Sequence, residues 1–566
     1  MKNEIFTSIQ VKTLLLDAGV ITEDQSIQAE ERSKSTGETF EQSVLWYSFI
    51  SDEELGRLLA DALGVPFVVV SAKSILPEVL HIIPEVVART HSVIAFDLDK
   101  EGLHIAMTDV NDLEMRDFLE KKSGLPLIVS FATERDIKNA LTFYRKEVSE
   151  AFDDILSTSI QEASKNKSGE SDPPIIRIVD TLISYAYENR ASDIHLEPRD
   201  KDMLVRFRID GELHDIINLP PELHPQIISR IKILGKLRTD EHQTPQDGKL
   251  ESIVENDHLD IRISIIPTTE GEKVVMRLLS ERSRQFSLAN LGLSAENLQT
   301  LKEAYEKPYG MVLVTGPTGS GKTTTLYAVL KLLNRRSVNV VTIEDPVEYD
   351  MEGVNQIQVN TDANLTFATG LRSILRQDPN IILVGEIRDD ETASIAINLA
   401  LTGHLVLSTL HTNNAATSIP RLIDMNIEPF LIASTMNVIV AQRLVRKIHG
   451  ACRISEEQLA EDIVKHIGKV AFEKVFGTME EGKKIRLYKG KGCKVCHNTG
   501  YEGRIGIFEL LVLDDDIREA IIGRQDTDTI EKIAIASGMR TMLEEGLTKV
   551  HEGITTLEEI LRVTKE

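Results

Sequence analysis

The decapeptide GPTGSGKTTT contains Gly316, four residues, then Gly321-Lys322-Thr323, a spacing suited to holding phosphate. Glycines let backbone N–H groups close around an anion, and the amides of a following helix add their partial positive charge. A strand-like run, MVLVT, precedes the loop and a helical run, TTTLYAVLKLLN, follows it, which is the setting a phosphate-binding loop requires. The residues that would bind nucleotide are Gly316, Pro317, Thr318, Gly319, Ser320, Gly321, Lys322, Thr323 and Thr324. Lys322 would reach the terminal phosphates of ATP and Thr323 would hold Mg2+.

Acidic and imidazole side chains follow at the ends of further apolar runs. VVTIEDPVEYD carries Glu344, Asp345 and Glu348, while NIILVGEIRDDETA has Gly385 where a magnesium-site aspartate is expected, followed by Glu386. An acid at the carboxyl edge of a parallel sheet lies beside bound phosphates, where it can bind the ion or orient water. TGHLVLSTLHTNN brackets one more strand with His404 and His411; together with Thr409, Thr412 and Asn413 they read as a sensor of the γ-phosphate.

These groups need a mostly parallel sheet to bring them together, and MVLVTG, VNVVTIED, NIILVGE and HLVLSTLH supply its strands between helical stretches. The expected fold is α/β over residues 291–566, preceded by an antiparallel α+β domain over 175–286. In that earlier domain MLVRFRIDGELHDII turns at Asp210-Gly211, and KLESIVENDHLDIRISIIPT and EKVVMRLL add strands. ASKNKSGESDPP, residues 163–174, has a linker composition. Residues 1–162 form a helical and mixed α/β docking module, with a capping box at Ser51 and Glu54 and a hairpin in HSVIAFDLDKEGLHIAMTD.

The 566 residues imply several domains. A net charge of -25 and only 5% aromatic residues argue against direct nucleic-acid contact. With no signal peptide and no apolar run of spanning length, a cytoplasmic protein is expected. Its three cysteines, an odd number, argue against a disulfide framework.

Taken in order, GPTGSGKTTT, TIEDPVEYDMEGVNQIQVN, LRSILRQDPNIILVGEIRDDETA and TGHLVLSTLHTNNA resemble the Walker A, Asp box, Walker B and His box of the secretion and pilus-assembly ATPase superfamily. SDIHLEP and RFRIDG resemble further signatures of that group, and a Gly-Glu Walker B is one of its features. The resemblance implies a RecA-like P-loop ATPase domain with a preceding PAS-like α+β domain. It implies that Glu344 polarises the attacking water, with Glu348 a second choice, that Glu386 acts on Mg2+ or the γ-phosphate, and that His411 senses it. Arg262 and Arg277 resemble arginine fingers, and Arg372 and Arg376 would line the same interface.

Cys493-Lys-Val-Cys496 resembles one half of the zinc knuckle of this family, within a subdomain of about 449–500. The other half reads RLVRKIHGACR, so His449 stands at the first cysteine position and Cys452 keeps its place; His-x2-Cys with Cys-x2-Cys is a tetrahedral Zn2+ set, and His497 is a poorer fourth ligand than His449. The resemblance further implies a homohexameric ring at the inner face of the cytoplasmic membrane, acting on a platform protein so that pilins are extruded, with a hinge at 286–291. Type IV pilus assembly and type II secretion both fit, the full-length N-terminal module favouring the former. A nucleotide-responsive regulatory or docking protein is the reading from a different class. N-terminal modules of this family can bind cyclic di-GMP through an Arg-Leu-Gly repeat; here Val11-Lys12-Thr13 occupies that place.

Overall fold

The structure is a computed structural model that describes residues 7–36, 39–47, 49–70, 75–144, 173–254, 257–280, 288–493, 496 and 498–564. Most of the expected linker, the start of the expected hinge, and His497 lie outside the described residues. The chain divides into two compact units. Met1–Ala151, His449–Ser455 and Gly490–Gly500 form the first, and Phe152–Ile448, Glu456–Lys489 and Tyr501–Glu566 the second.

In the first unit, short capped helices bury one apolar stripe each. Ser51 caps the helix Asp52–Leu63 in a reciprocal box with Glu54, so that Leu55 and Leu59 turn inward with Val11, Leu15, Phe40 and Val44. The expected hairpin is present as β1 (Val93–Leu98) antiparallel to β2 (Leu103–Met107), and β3 (Leu127–Phe131) runs parallel to β2.

The second unit holds two larger sheets. β4 (Asp193–Pro198), β5 (Met203–Ile209), β6 (Glu212–Leu219), β7 (Gln246–Val254), β8 (Asp257–Thr268) and β9 (Gly271–Ser280) form one in the order β6-β5-β4-β9-β8-β7. All of its neighbours are antiparallel. The β5–β6 turn is the predicted Asp210-Gly211, with φ of 51° and 94°, the paired positive angles a two-residue hairpin demands. Register sets Arg262 of β8 directly opposite Arg277 of β9, and Asp193 of β4 opposite Arg277 on its other side.

The other large sheet comprises β10 (Gly310–Thr315), β11 (Val340–Glu344), β12 (Asn355–Gln358), β13 (Ile381–Val384), β14 (Leu405–Leu410), β15 (Met436–Ile448) and β18 (Tyr501–Val512), while β16 (Arg453–Leu459) pairs with β17 (Lys484–Gly490) in a small ribbon. The order is β12-β11-β13-β14-β10-β15-β18, parallel throughout except for β18. Every residue of β10 is buried, because helices cover both faces: Met311 and Leu313 enter one core, Val312 and Val314 the other. Such a sheet gathers the carboxyl ends of β10, β11, β13 and β14 at one edge.

Candidate functional site: a nucleotide edge and a metal knuckle

Gly316–Gly321 links β10 to the helix Lys322–Leu333. A Cβ on Gly316, where φ is 145°, would stand 2.4 Å from the Gln442 carbonyl oxygen, so the tight turn out of the strand accepts no side chain. Gln442 continues the support from β15, accepting from the Thr325 hydroxyl at 2.7 Å. Lys322 folds back over the loop and donates to the carbonyls of Gly316 at 2.9 Å and Pro317 at 3.1 Å. Burial pushes its ammonium pKa down, and the Glu386 carboxylate pulls it the other way.

Glu386 follows the end of β13 and faces this lysine from the same sheet edge. Its carboxylate lies 3.4 Å from His411 Nε2 and is held by Arg388, which also approaches Asp345 at 3.7 Å. The glycine before it has a packing cause: a Cβ on Gly385 would stand 3.3 Å from both Glu344 Cα and the Ile343 carbonyl oxygen. The carbonyl of Gly385 accepts from the Thr409 hydroxyl at 2.7 Å, and Thr412 clasps Thr315 hydroxyl to hydroxyl at 2.6 Å. These bonds lace β13, β14 and β10 at the ends that carry the chemistry.

One expectation changes here, that for His404, and the surroundings of Glu344 bear on a second. His404 stands before β14 and His411 after it; His404 Nδ1 lies 3.0 Å from the Leu399 carbonyl oxygen, so it closes a helix end at the opposite edge and only His411 reaches the nucleotide edge. Glu344 is 3% exposed, and its carboxylate is taken up by the Tyr327 hydroxyl, by Thr342 Oγ1 at 2.6 Å and by Gln356 Nε2 at 3.4 Å. Three donors inside the sheet take up most of the roughly four acceptor sites of this carboxylate, which argues for an anchoring role. Burial and the adjacent Glu344 charge push the Tyr327 phenol far above its ordinary range, so it is a permanent donor.

Glu348 is better exposed, and it is the acid that the other domain touches. Arg262 donates to the Val347 carbonyl at 2.8 Å and lies 3.1 Å from Glu348 Oε2. The loop bearing Glu348 is fixed from behind, since Tyr349 packs edge-on against Tyr327 at 4.8 Å and Gln356 binds Tyr349 O and Met351 N at 3.1 and 2.7 Å. Arg277 instead pairs with Asp193 at 3.0 Å within its own sheet. Arg372 pairs with Glu391, and Arg376 donates to the Arg372 carbonyl at 3.0 Å, both on the exposed surface. Sequence reading missed Tyr327, Gln356 and Gln442, uncharged residues in regular elements, and Arg388, a lone arginine in the loop after β13, because none carries a spacing signal of its own.

In the first unit, one ligand atom each from His449, Cys452, Cys493 and Cys496 lies within 4.8 Å of all the others. Cys452 and Cys493 sulfurs stand 3.9 and 3.7 Å from that of Cys496, against about 3.8 Å for the edge of a tetrahedron with Zn–S near 2.3 Å. His449 Nδ1 is 3.4 Å from the Cys493 sulfur, and the amides of Cys493 and Gly500 point at Cys496 Sγ at 3.2 and 3.3 Å. Burial pushes the Cys452 thiol up to about 12; at Cys496 burial also acts upward, but those amides bring it below the ordinary thiol value. The donor set, spacing and second-layer amides fit Zn2+.

The profile of the type II/IV secretion system protein family matches residues 168–562, and that of the MshEN domain matches residues 63–150. The chain belongs to the type II/IV secretion system protein family. It is 38% identical over 562 residues to the type IV pilus assembly ATPase PilB of Myxococcus xanthus, covering 97% of each chain. It is 41% identical over 528 residues to the type II secretion system protein E of Xanthomonas campestris pv. campestris, covering 91% of each. The solved ATPase DotB of Legionella pneumophila, 21% identical, matches with a TM-score of 0.50 over 71% of this chain and 98% of that one, which bears on the fold. The RecA-like fold and ATPase class expected from the sequence therefore stand, and membership in the family implies ATP and Mg2+. Among the described residues, no helix is long and apolar enough to cross a membrane.

Proposed function

We propose that this secretion ATPase is a homohexameric motor that powers type IV pilus assembly by moving an inner-membrane platform protein so that pilins are extruded. Supporting this reading is the match to the Myxococcus xanthus pilus assembly ATPase along 97% of both chains, N-terminal module included. A type II secretion ATPase is the second reading, favoured by the 41% identity to the Xanthomonas protein. The domains are read as 175–286 and 291–566, a division supported by the two large sheets, each of which draws its strands from one of these ranges alone. The protein acts at the cytoplasmic face of the membrane through its partners. Direct nucleic-acid contact is not part of the proposal, and cyclic di-GMP is a candidate ligand of residues 63–150.

In the proposed mechanism the Gly316–Thr324 loop cradles the phosphates. Lys322 exchanges its two carbonyl partners for phosphate oxygens, and His411 reports on the γ-phosphate through Glu386. Thr323 would hold Mg2+, with Glu386 beside it, and the bound ion would supply neutralisation of phosphate charge. Glu348 takes the water-orienting role first expected of Glu344, and Glu344 with Tyr327 anchors the strand from which it projects. Arg262 and Arg277 act as the fingers. Arg262 already spans from one sheet to the Asp-box loop, so a change in loop position on hydrolysis is transmitted to the preceding domain as rigid-body movement. His449, Cys452, Cys493 and Cys496 would hold Zn2+ as a structural ion, a reading supported by their clustering.

The test is genetic. Deletion of the gene, complemented by wild type or Glu386→Ala, should remove surface pili unless wild type is supplied. Intact pili with a loss of exported protein would transfer the assignment to type II secretion.

A further inference from the structure

The only tryptophan of the chain, Trp46, ends the helix Phe40–Trp46 of the N-terminal module. Two guanidinium groups stand over its ring, Arg32 at 3.9 Å and Arg453 at 4.1 Å from the centroid. Like charges so close to one centroid take opposite faces, and the indole is the strongest aromatic partner for a guanidinium. Arg32 belongs to the neighbouring helix Glu23–Thr36, whereas Arg453 follows the metal ligand Cys452 directly. A second contact runs the same way: Arg135, on the helix Glu134–Ala140, donates to the carbonyl of Gly450, which lies between the ligands His449 and Cys452.

The two knuckle segments have almost no apolar core. Their buried side chains among the described residues are His449 and Cys496, both of them ligands. Among the described residues the arms are also joined by backbone bonds, His449 N to Gly500 O at 2.9 Å and Lys491 N to Cys452 O at 2.8 Å. A subdomain of this kind is shaped by its ion.

We infer that the zinc-loaded knuckle is the interaction surface on which the N-terminal helical module docks, with Trp46 clamped between an arginine of each partner. This rests on the zinc assignment above. Metal loading positions Arg453 and the Gly450 carbonyl; loss of the ion frees the module.

Trp46 is its own reporter, because no other tryptophan contributes emission. The full-length protein loaded with Zn2+ is titrated with a chelator while bound zinc and tryptophan emission are followed together. As zinc leaves, emission should shift to the red and acrylamide quenching should rise, both returning on re-addition of Zn2+. Arg453→Ala should raise quenching at unchanged zinc content, which keeps the test independent of any unfolding caused by chelation. Zinc lost with Trp46 emission and quenching unmoved, or Arg453→Ala quenched like wild type, would overturn the docking. No zinc uptake by the intact protein would overturn the zinc assignment, and the docking with it.

Discussion

Replacing Glu559 by glutamine should destabilise the second unit in a manner that depends on pH. Glu559 lies in the C-terminal helix Leu557–Thr564 and is 1% exposed. It accepts from the Arg446 amide at 3.0 Å and from the Arg446 and Arg562 guanidiniums at 2.7 Å each. Burial alone would raise its pKa, but those donors outweigh burial and hold it at about 2, against the ordinary 4.5. At about 1.4 kcal/mol per pH unit, that difference is worth about 3 kcal/mol of stability. A carboxylate with a depressed pKa contributes fully above its unfolded value, and the contribution disappears as pH falls from about 4.5 through about 2. The variant leaves Arg446 its contacts with Glu212 of β6, at 2.7 Å, and with the Tyr501 ring, at 4.3 Å from the centroid. Thermal or urea denaturation, read by near-ultraviolet circular dichroism from pH 3 to 7, should show Glu559→Gln below wild type at pH 7 and the two converging toward pH 3. A constant offset across that range, or no offset at neutral pH, would refute the argument.

Glu348→Gln should lower ATP turnover by about a hundredfold or more with little change in nucleotide affinity, as expected for loss of a water-orienting acid. Glu344→Gln, which keeps an acceptor for Tyr327, should retain much more activity, and the reverse ranking would restore Glu344 to the water-orienting role. Mixing Arg277→Ala subunits with Lys322→Ala subunits should recover part of the turnover if Arg277 serves a neighbouring subunit. Absence of recovery would confine the finger to its own chain. Cys493→Ser should abolish stoichiometric zinc in metal analysis of the purified protein, and retained zinc would remove Cys493 from the ligand set.

The loop GPTGSGKTTT, the hairpin at Asp210-Gly211 and the capping box at Ser51 were legible because each is local: spacing within a few residues determines the geometry. Parallel strands were equally plain, since a sheet buried on both faces writes continuous apolar runs such as MVLVT. The surroundings of Glu344 were not recoverable in that way. Whether an acid at a strand end faces the phosphates or the interior depends on what a distant helix offers, and here Tyr327 offers a hydroxyl. His404 and His411 look alike in TGHLVLSTLHTNN, yet a six-residue strand separates them by its whole length and puts them at opposite edges. The glycine at 385 became intelligible only with the backbone of β11 in place beside it. Nor does spacing reveal the Arg32–Trp46–Arg453 stack, whose members are brought together from far-apart stretches of the chain.

ATP turnover by the purified protein carrying Lys322→Ala, measured beside wild type under saturating Mg2+ and ATP, tests the account at its centre. Loss of turnover to background, with the fold retained by circular dichroism, is the predicted result. Turnover equal to wild type would mean that the Gly316–Thr324 loop is not the site of hydrolysis, and the motor built around it would fall.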